Sequence, residues 1–256
     1  MKLLIDIVSD YGSITYASSE LDANGMPAVS VVDQVPSLWG TTSNTLHTIR
    51  GTLAFIDSNE YLCPIDSFVI IPKKLPIGTL VTVRLYQDYP TTAVATYVVT
   101  TTQANETIKI FDIPTELANY WEIEFKLPTS DYILISRVMF GQSWEPTYGI
   151  TGLIDISKEG FLKGDRYRNG GTFVAPSVNY TTQQLEFAEI SQEVCYTLLD
   201  SLSRYGSGAT VVVHDLVDNS TLTSSSIYGR VKEWGNPKKS VSQAYSISLT
   251  IEEILQ

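Results

Sequence analysis

Between Leu46 and Phe140 the chain is a succession of short apolar and alternating runs: Leu46 to Ile56, Ser67 to Ile71, Leu80 to Gln87, Ala93 to Thr101, Thr107 to Phe111, and two more between Tyr120 and Phe140. They recur at a spacing of roughly 8 to 12 residues, with turn residues between them and no amphipathic helix among them, which predicts a β-sandwich or jelly roll. In the run from Tyr120, Glu122, Glu124 and Lys126 alternate with Trp121, Ile123 and Phe125. One strand face is then polar and the other bulky and apolar. Pro128 to Asp131 supplies turn chemistry. The run from Tyr132 to Phe140 follows, and the pair reads as a β-hairpin that closes a domain at Gly141, Trp144 and Pro146.

The pattern changes after Pro146. Ile150 to Ile156, Thr172 to Val178 and Gln184 to Phe187 read as strands, separated by a polar, Gly-rich connection, KEGFLKGDRYRNGG, too long for a tight turn. A helix is predicted over 191–205. Ser191 is its N-cap, Gln192 and Glu193 occupy the first turn, and Gly206 stops it. Val194, Leu198, Leu202 and Tyr205 share one face, flanked by Cys195 and Leu199, and that stripe should lie on a sheet. Ala209 to His214, Ile227 to Trp234 and Tyr245 to Ile251 complete the strands. Residues 1 to 45 hold only Leu3 to Val8 and Ala28 to Val32 as apolar runs, so they read as an arm or strand segment that needs another surface to bury them. The expected organisation is mainly β: a segment 1–45, a jelly roll 46–145, and a β-sandwich with one packed helix, 146–256.

Composition narrows the function. At 256 residues the chain can hold two cores, and 43% hydrophobic with 18% charged residues is globular rather than disordered. The net charge of −11 would repel nucleic acid. Cys63 and Cys195 are too far apart to suggest a disulfide scaffold or a thiolate metal site. No run is long enough for a membrane span, and MKLLIDIVSD is too short for a signal-peptide core, so folding in a cytoplasm is expected. The Asn-x-Ser/Thr matches at Asn105, Asn179 and Asn219 are then accidental.

Candidate chemistry is sparse. His214 beside Asp215 lacks a nucleophile elbow, and His47 has no carboxylate or thiol at ligand spacing. Glu122 and Glu124 share a strand face, as solvated neighbours often do, and give no pattern for glycoside cleavage. Asp215, Asp218 and Asn219 read as a turn rather than a calcium loop. The expectation is a protein that is not an enzyme and uses no cofactor and no metal. The most basic short patch of this acidic chain runs from Lys158 to Asn169 and includes Lys163, Arg166, Tyr167 and Arg168, a solvated loop or an interface with an acidic partner.

The stretch NYWEIEFKLPTSDYILISRVMFGQSWEP, with its aromatic pair, alternating acids and Trp-x-Pro exit, resembles a family of siphovirus-type bacteriophage tail-tip proteins of the distal-tail or baseplate type. Pro64 to Leu75 and Val81 to Asp88 are similar to the middle of discoidin-type, galactose-binding-like modules, and the single helix followed by "SLTIEE" resembles the tail-tube fold. The resemblance implies a virion structural protein, assembled in the host cytoplasm. Its second domain would form a ring homo-oligomer, a hexamer matching the tail tube or a trimer at the hub, in contact with tube and hub proteins. It also implies that the basic connection reaches a neighbouring subunit. The alternative is an adhesin module that holds host surface glycans in loops of the jelly roll, for which Trp39, Tyr61, Tyr86 and Tyr89, with Tyr97, supply aromatic faces.

Overall fold

The computed structural model describes residues 2–5, 7–18, 27–28, 38–54, 62–89, 91–146, 155–161, 164–166, 172–174, 178–205, 210–214, 228–240 and 244–254, with side chains except at Lys2, 147–180 and 205–227. The chain is mainly β, with several antiparallel sheets, and divides into two compact units, Leu4–Ser143 and Trp144–Leu255, the latter joined by residues 1–3.

The strands of the first half are β1 (Lys2–Ile5), β2 (Ile14–Ala17), β3 (Trp39–Gly40), β4 (Asn44–Thr52), β5 (Cys63–Ile65), β6 (Ser67–Lys74), β7 (Leu80–Tyr86), β8 (Ala95–Thr100), β9 (Ile108–Ile110), β10 (Glu116–Ala118), β11 (Tyr120–Asp131) and β12 (Leu134–Trp144). A five-stranded sheet runs β2-β4-β11-β7-β8, and β12, flanked by β3 and β6, with β9 beyond β6, builds the layer that faces it. The chain crosses between the layers from β4 to β6, from β6 to β7, from β8 to β9 and from β11 to β12, as in the wrapping of a jelly roll. Aromatic pairs bridge the two layers: Trp39 and Phe125 at 6.3 Å, Phe68 and Tyr97 at 5.9 Å, Trp121 and Phe140 at 5.3 Å between ring centroids.

Trp121, Ile123 and Phe125 are fully buried, as their alternation requires. The two runs around Pro128 nevertheless do not pair as a hairpin. β11 lies between β4 and β7, while β12 pairs with β6 and β3 in the opposite layer. Each run has its own bulky apolar face, and the two faces are buried best by meeting across the core rather than lying side by side in one sheet. Gly51 sits opposite Trp121 in the β4–β11 register, and a Cβ there would come 2.6 Å from the indole ring. The ring fills the space that the glycine leaves.

Part of the stretch 1–45 is built into this unit. β2 forms an edge of the five-stranded sheet, Trp39 and Val8 are buried in the core, and the Ser9 hydroxyl donates to the Val138 carbonyl and accepts from the Phe140 amide. Arg137 and Asp10 form an ion pair with side chains only 2% and 1% exposed.

In the second half the elements are β13 (Asp155–Phe161), β14 (Gly164–Arg166), β15 (Thr172–Val174), β16 (Val178–Ile190), α1 (Gln192–Tyr205), β17 (Thr210–His214), β18 (Tyr228–Trp234), β19 (Lys238–Lys239) and β20 (Tyr245–Glu253). β20 is central, paired with β16 and β18, and its Ile247, Leu249 and Ile251 are buried at alternate positions. The Val194 amide donates to the Ser191 hydroxyl at 3.2 Å, the expected cap. The buried stripe of α1 is Cys195, Leu198 and Leu202, with Ser201, rotated slightly from the one centred on Val194. The Trp144 indole donates to the Val194 carbonyl and packs edge-on against Phe187. The polar connection read as a loop is partly strand: β13 extends to Phe161, and β14 pairs with β15, Arg166 opposite Thr172.

Candidate functional site

The solvent-facing side of the five-stranded sheet carries a row that crosses every strand. By register, Tyr16 on β2 lies opposite Arg50 on β4, Arg50 opposite Glu122 on β11, Glu122 opposite Arg84 on β7, and Arg84 opposite Thr96 on β8. Because side chains of directly opposed residues on one face stand about 5 Å apart, this register forces the carboxylate between two guanidinium groups. The alternation that buries Trp121 and Ile123 is what turns Glu122 outward.

Glu122 is held at both oxygens. Arg50 donates through Nε at 3.1 Å and through Nη2 to Oε2, and Arg84 Nη1 donates to Oε1 at 2.8 Å. The Tyr86 hydroxyl donates to the same Oε1 at 3.4 Å, and Arg84 also approaches Glu124 Oε2 at 3.6 Å. Burial by itself would raise the Glu122 carboxyl, but the arginine hydrogen bonds and charges outweigh it and hold the group below the usual glutamate range. Burial likewise works to lower Arg84, and the Glu122 hydrogen bond with the charges of Glu124 and Glu122 reverses it. Burial, then the Glu122 charge, pushes the Tyr86 phenol up.

Aromatic rings complete the face. The Arg50 guanidinium carbon lies 3.9 Å from the Tyr89 ring centroid and 5.1 Å from that of Tyr16. Tyr89 meets Tyr86 edge-on at 5.2 Å and Tyr120 at 6.4 Å. Tyr16 and Tyr89 remain 46% and 36% exposed, while Glu122 is only 8% exposed. The result is an ordered floor of ring faces, guanidinium edges and threonine hydroxyls, since Thr48 and Thr82 flank Glu124 in the adjacent register.

Of the residues proposed from sequence for glycan contact, Tyr86 and Tyr89 belong to this floor. Trp39 does not: it is fully buried against Phe125, so its ring is part of the core and presents no face to a ligand. Tyr97 packs on Phe68 from the inner side of β8. Tyr61 lies outside the described residues, as do Lys163, Tyr167 and Arg168; Arg166 is described only in its backbone. Arg50, Arg84, Tyr16 and Tyr120 were not singled out by sequence reasoning. A pattern within one strand shows that Glu122 faces solvent, but not which residues of β4 and β7 stand beside it.

A second charged group lies at the far end of β11. Lys74 Nζ donates to Asp131 Oδ1 at 2.8 Å and sits 3.2 Å from the Tyr132 ring centroid, and the buried His47 places Nε2 3.0 Å from the Asp131 carbonyl oxygen. The Lys74 hydrogen bond, with one from the Tyr132 amide, lowers the Asp131 carboxyl. Among the described residues no cluster of three His, Cys, Asp or Glu side chains could hold a metal. Asp215, Asp218 and Asn219 lie outside the described residues, and only the backbone of His214 is described. Both Cys63 and Cys195 are buried thiols, and burial pushes Cys195 up.

No family model matches the sequence, and no curated protein matches it. Among solved structures, the chain is similar to the lectin domain of lectinolysin complexed with Lewis B antigen, with 13% identity over 54% of this chain and 96% of that one and a TM-score of 0.43. It is also similar to the family 32 carbohydrate-binding module of NanJ from C. perfringens in complex with galactose, with 15% identity, 55% and 98% coverage and a TM-score of 0.40. The f-lectin from the serum of Morone saxatilis, the striped bass, matches over 98% of this chain and 99% of its own at 11% identity and a TM-score of 0.42. At such TM-scores the likenesses carry no inference about a ligand.

Proposed function

We propose that the unit Leu4–Ser143 is a non-catalytic glycan-binding module, and that the outer face of its five-stranded sheet is the binding surface. The observation that carries this is the Arg50 guanidinium, fixed by Glu122 and lying against Tyr89 and Tyr16. Solvent-facing arginine and tyrosine side chains normally lose much rotamer freedom when they bind a partner. Here the ion pairs have already ordered them, which lowers that cost. Ring faces suit the apolar side of a pyranose, while the guanidinium, carboxylate and threonine groups between them suit its hydroxyls. Both arginines are already paired with Glu122 or Glu124, so the surface favours uncharged over acidic sugars. Glu122 is held ionised, the opposite of what the proton donor of a glycosidase needs.

This reading takes precedence over the ring-forming one because it has a built surface behind it. The tail-tip setting is supported by the sequence resemblance of residues 119–146, and within it the module would serve as an adhesin. The ring itself would be tested by mass photometry of the purified chain, and its basic tongue by charge reversal at Arg166 and Arg168. For the glycan reading, the test is a glycan array followed by titration calorimetry with Tyr89→Ala and Tyr16→Ala. Each substitution should weaken binding about tenfold, the scale of a central interface residue. An array without a single hit, or a Tyr89→Ala protein that binds as well as the parent, would overturn it.

A further inference from the structure

The five-stranded sheet ends on β8, and among the described residues no strand pairs with its other side. Exposed sheet edges are usually defended by lysine, proline, a bulge or brevity, because their outward amide and carbonyl groups template pairing with another strand. β8 has none of these defences. It is six residues long, it keeps an unbroken register with β7 from Ala95 to Thr100, and from Thr91 to Ala104 the chain contains no charged residue, no proline and no glycine. In a chain of net charge −11, an uncharged margin of this length is a place where two copies can approach without electrostatic repulsion.

The side-chain pattern is self-complementary. Thr96, Val98 and Thr100 point outward, with Val98 58% exposed, while Tyr97 packs inward on Phe68. An antiparallel pairing about a twofold axis at Val98 places Val98 against itself and Thr96 against Thr100. These are β-branched cross-strand pairs, which stabilise antiparallel ladders. We infer that β8 pairs with β8 of a second copy of this chain, joining the two five-stranded sheets into one ten-stranded sheet. The inference rests on the edge strand and not on glycan binding. If both hold, two Arg50–Glu122–Arg84 rows share one continuous face, and the dimer is a bivalent receptor.

The full-length chain separates the outcomes. Sedimentation equilibrium should show a species whose mass halves in Val98→Lys, which sets two like charges opposite each other and should raise the dimer dissociation constant at least tenfold. Val98 is exposed, so the variant should keep the parent circular dichroism spectrum. Cys63 and Cys195 are buried, so mild oxidation reports an introduced thiol. Val98→Cys should give a covalent dimer, because opposed residues lie about 5 Å apart, within disulfide reach. Thr96→Cys should not, because the two positions would stand about 13 Å apart along the paired strands. An unchanged mass in Val98→Lys, or equal cross-linking of the two cysteine variants, would overturn the inference.

Discussion

Strand β11 carries an ion cluster near each end, and the two differ in kind. Near its start, Glu122 is shared by Arg50 and Arg84, covered by the aromatic group around Tyr89, and almost fully buried on what is nominally the outer face. At its end, Asp131 meets a single cation among the described residues, Lys74, beside the Tyr132 amide, with both charged side chains about a third exposed. The first cluster is set by register: three strands present Arg, Glu and Arg at directly opposed positions, and planar guanidinium groups bond both carboxylate oxygens. The second is formed by flexible side chains where the register of β11 on β4 has shifted, between Lys126 and Asp131. An ion pair that strands hold in place can build a recognition surface, whereas one held by side chains in water contributes little.

The largest effect that would sharpen this contrast is expected from Glu122→Gln. Removing the central charge takes the carboxylate from the half-buried Arg50 guanidinium and leaves Arg84 only its longer contact with Glu124, which should cost about 3 kcal/mol and lower the melting transition of this unit by roughly 5–10 °C. Calorimetry checks it, and a shift no larger than that of Asp131→Asn would break the comparison. A pH series is the next largest. The Glu122 carboxyl in the fold lies below its ordinary value of 4.5, so its contribution is complete above that pH and is lost as the pH falls through the depressed folded value. Chemical denaturation between pH 6 and about pH 3 should show that loss in the parent and a flatter profile in Glu122→Gln. The smallest effect is that of Asp131→Asn itself. Its carboxyl is also depressed, by Lys74 first, but with solvent at hand the substitution should leave the neutral-pH melting temperature unchanged within error.

Much of the layout is legible in the sequence because burial acts on each strand separately. Trp121, Ile123 and Phe125 declare an inward face without reference to any partner, Ile247, Leu249 and Ile251 do the same for β20, and Ser191 announces α1 by a bond that reaches only three residues. The same alternation also supports a hairpin of the runs flanking Pro128, since a two-residue period shows which residues face inward but not which sheet the strand joins. Trp39 shows a related limit. An aromatic residue in a sparse, polar segment reads as a ligand contact, whereas the core took it up against Phe125.

What the sequence determined by itself was the β class, the position of α1 and the inward set of the main strands, all consequences of local periodicity and capping. The tertiary structure alone decided that Glu122 lies between Arg50 and Arg84, partners 72 and 38 positions away, that Asp10 meets Arg137 across 127 positions, and that β8 ends its sheet among the described residues. Each of these depends on strand order and register. Those are fixed by how the apolar faces of the whole unit pack together, a collective choice that no single segment encodes.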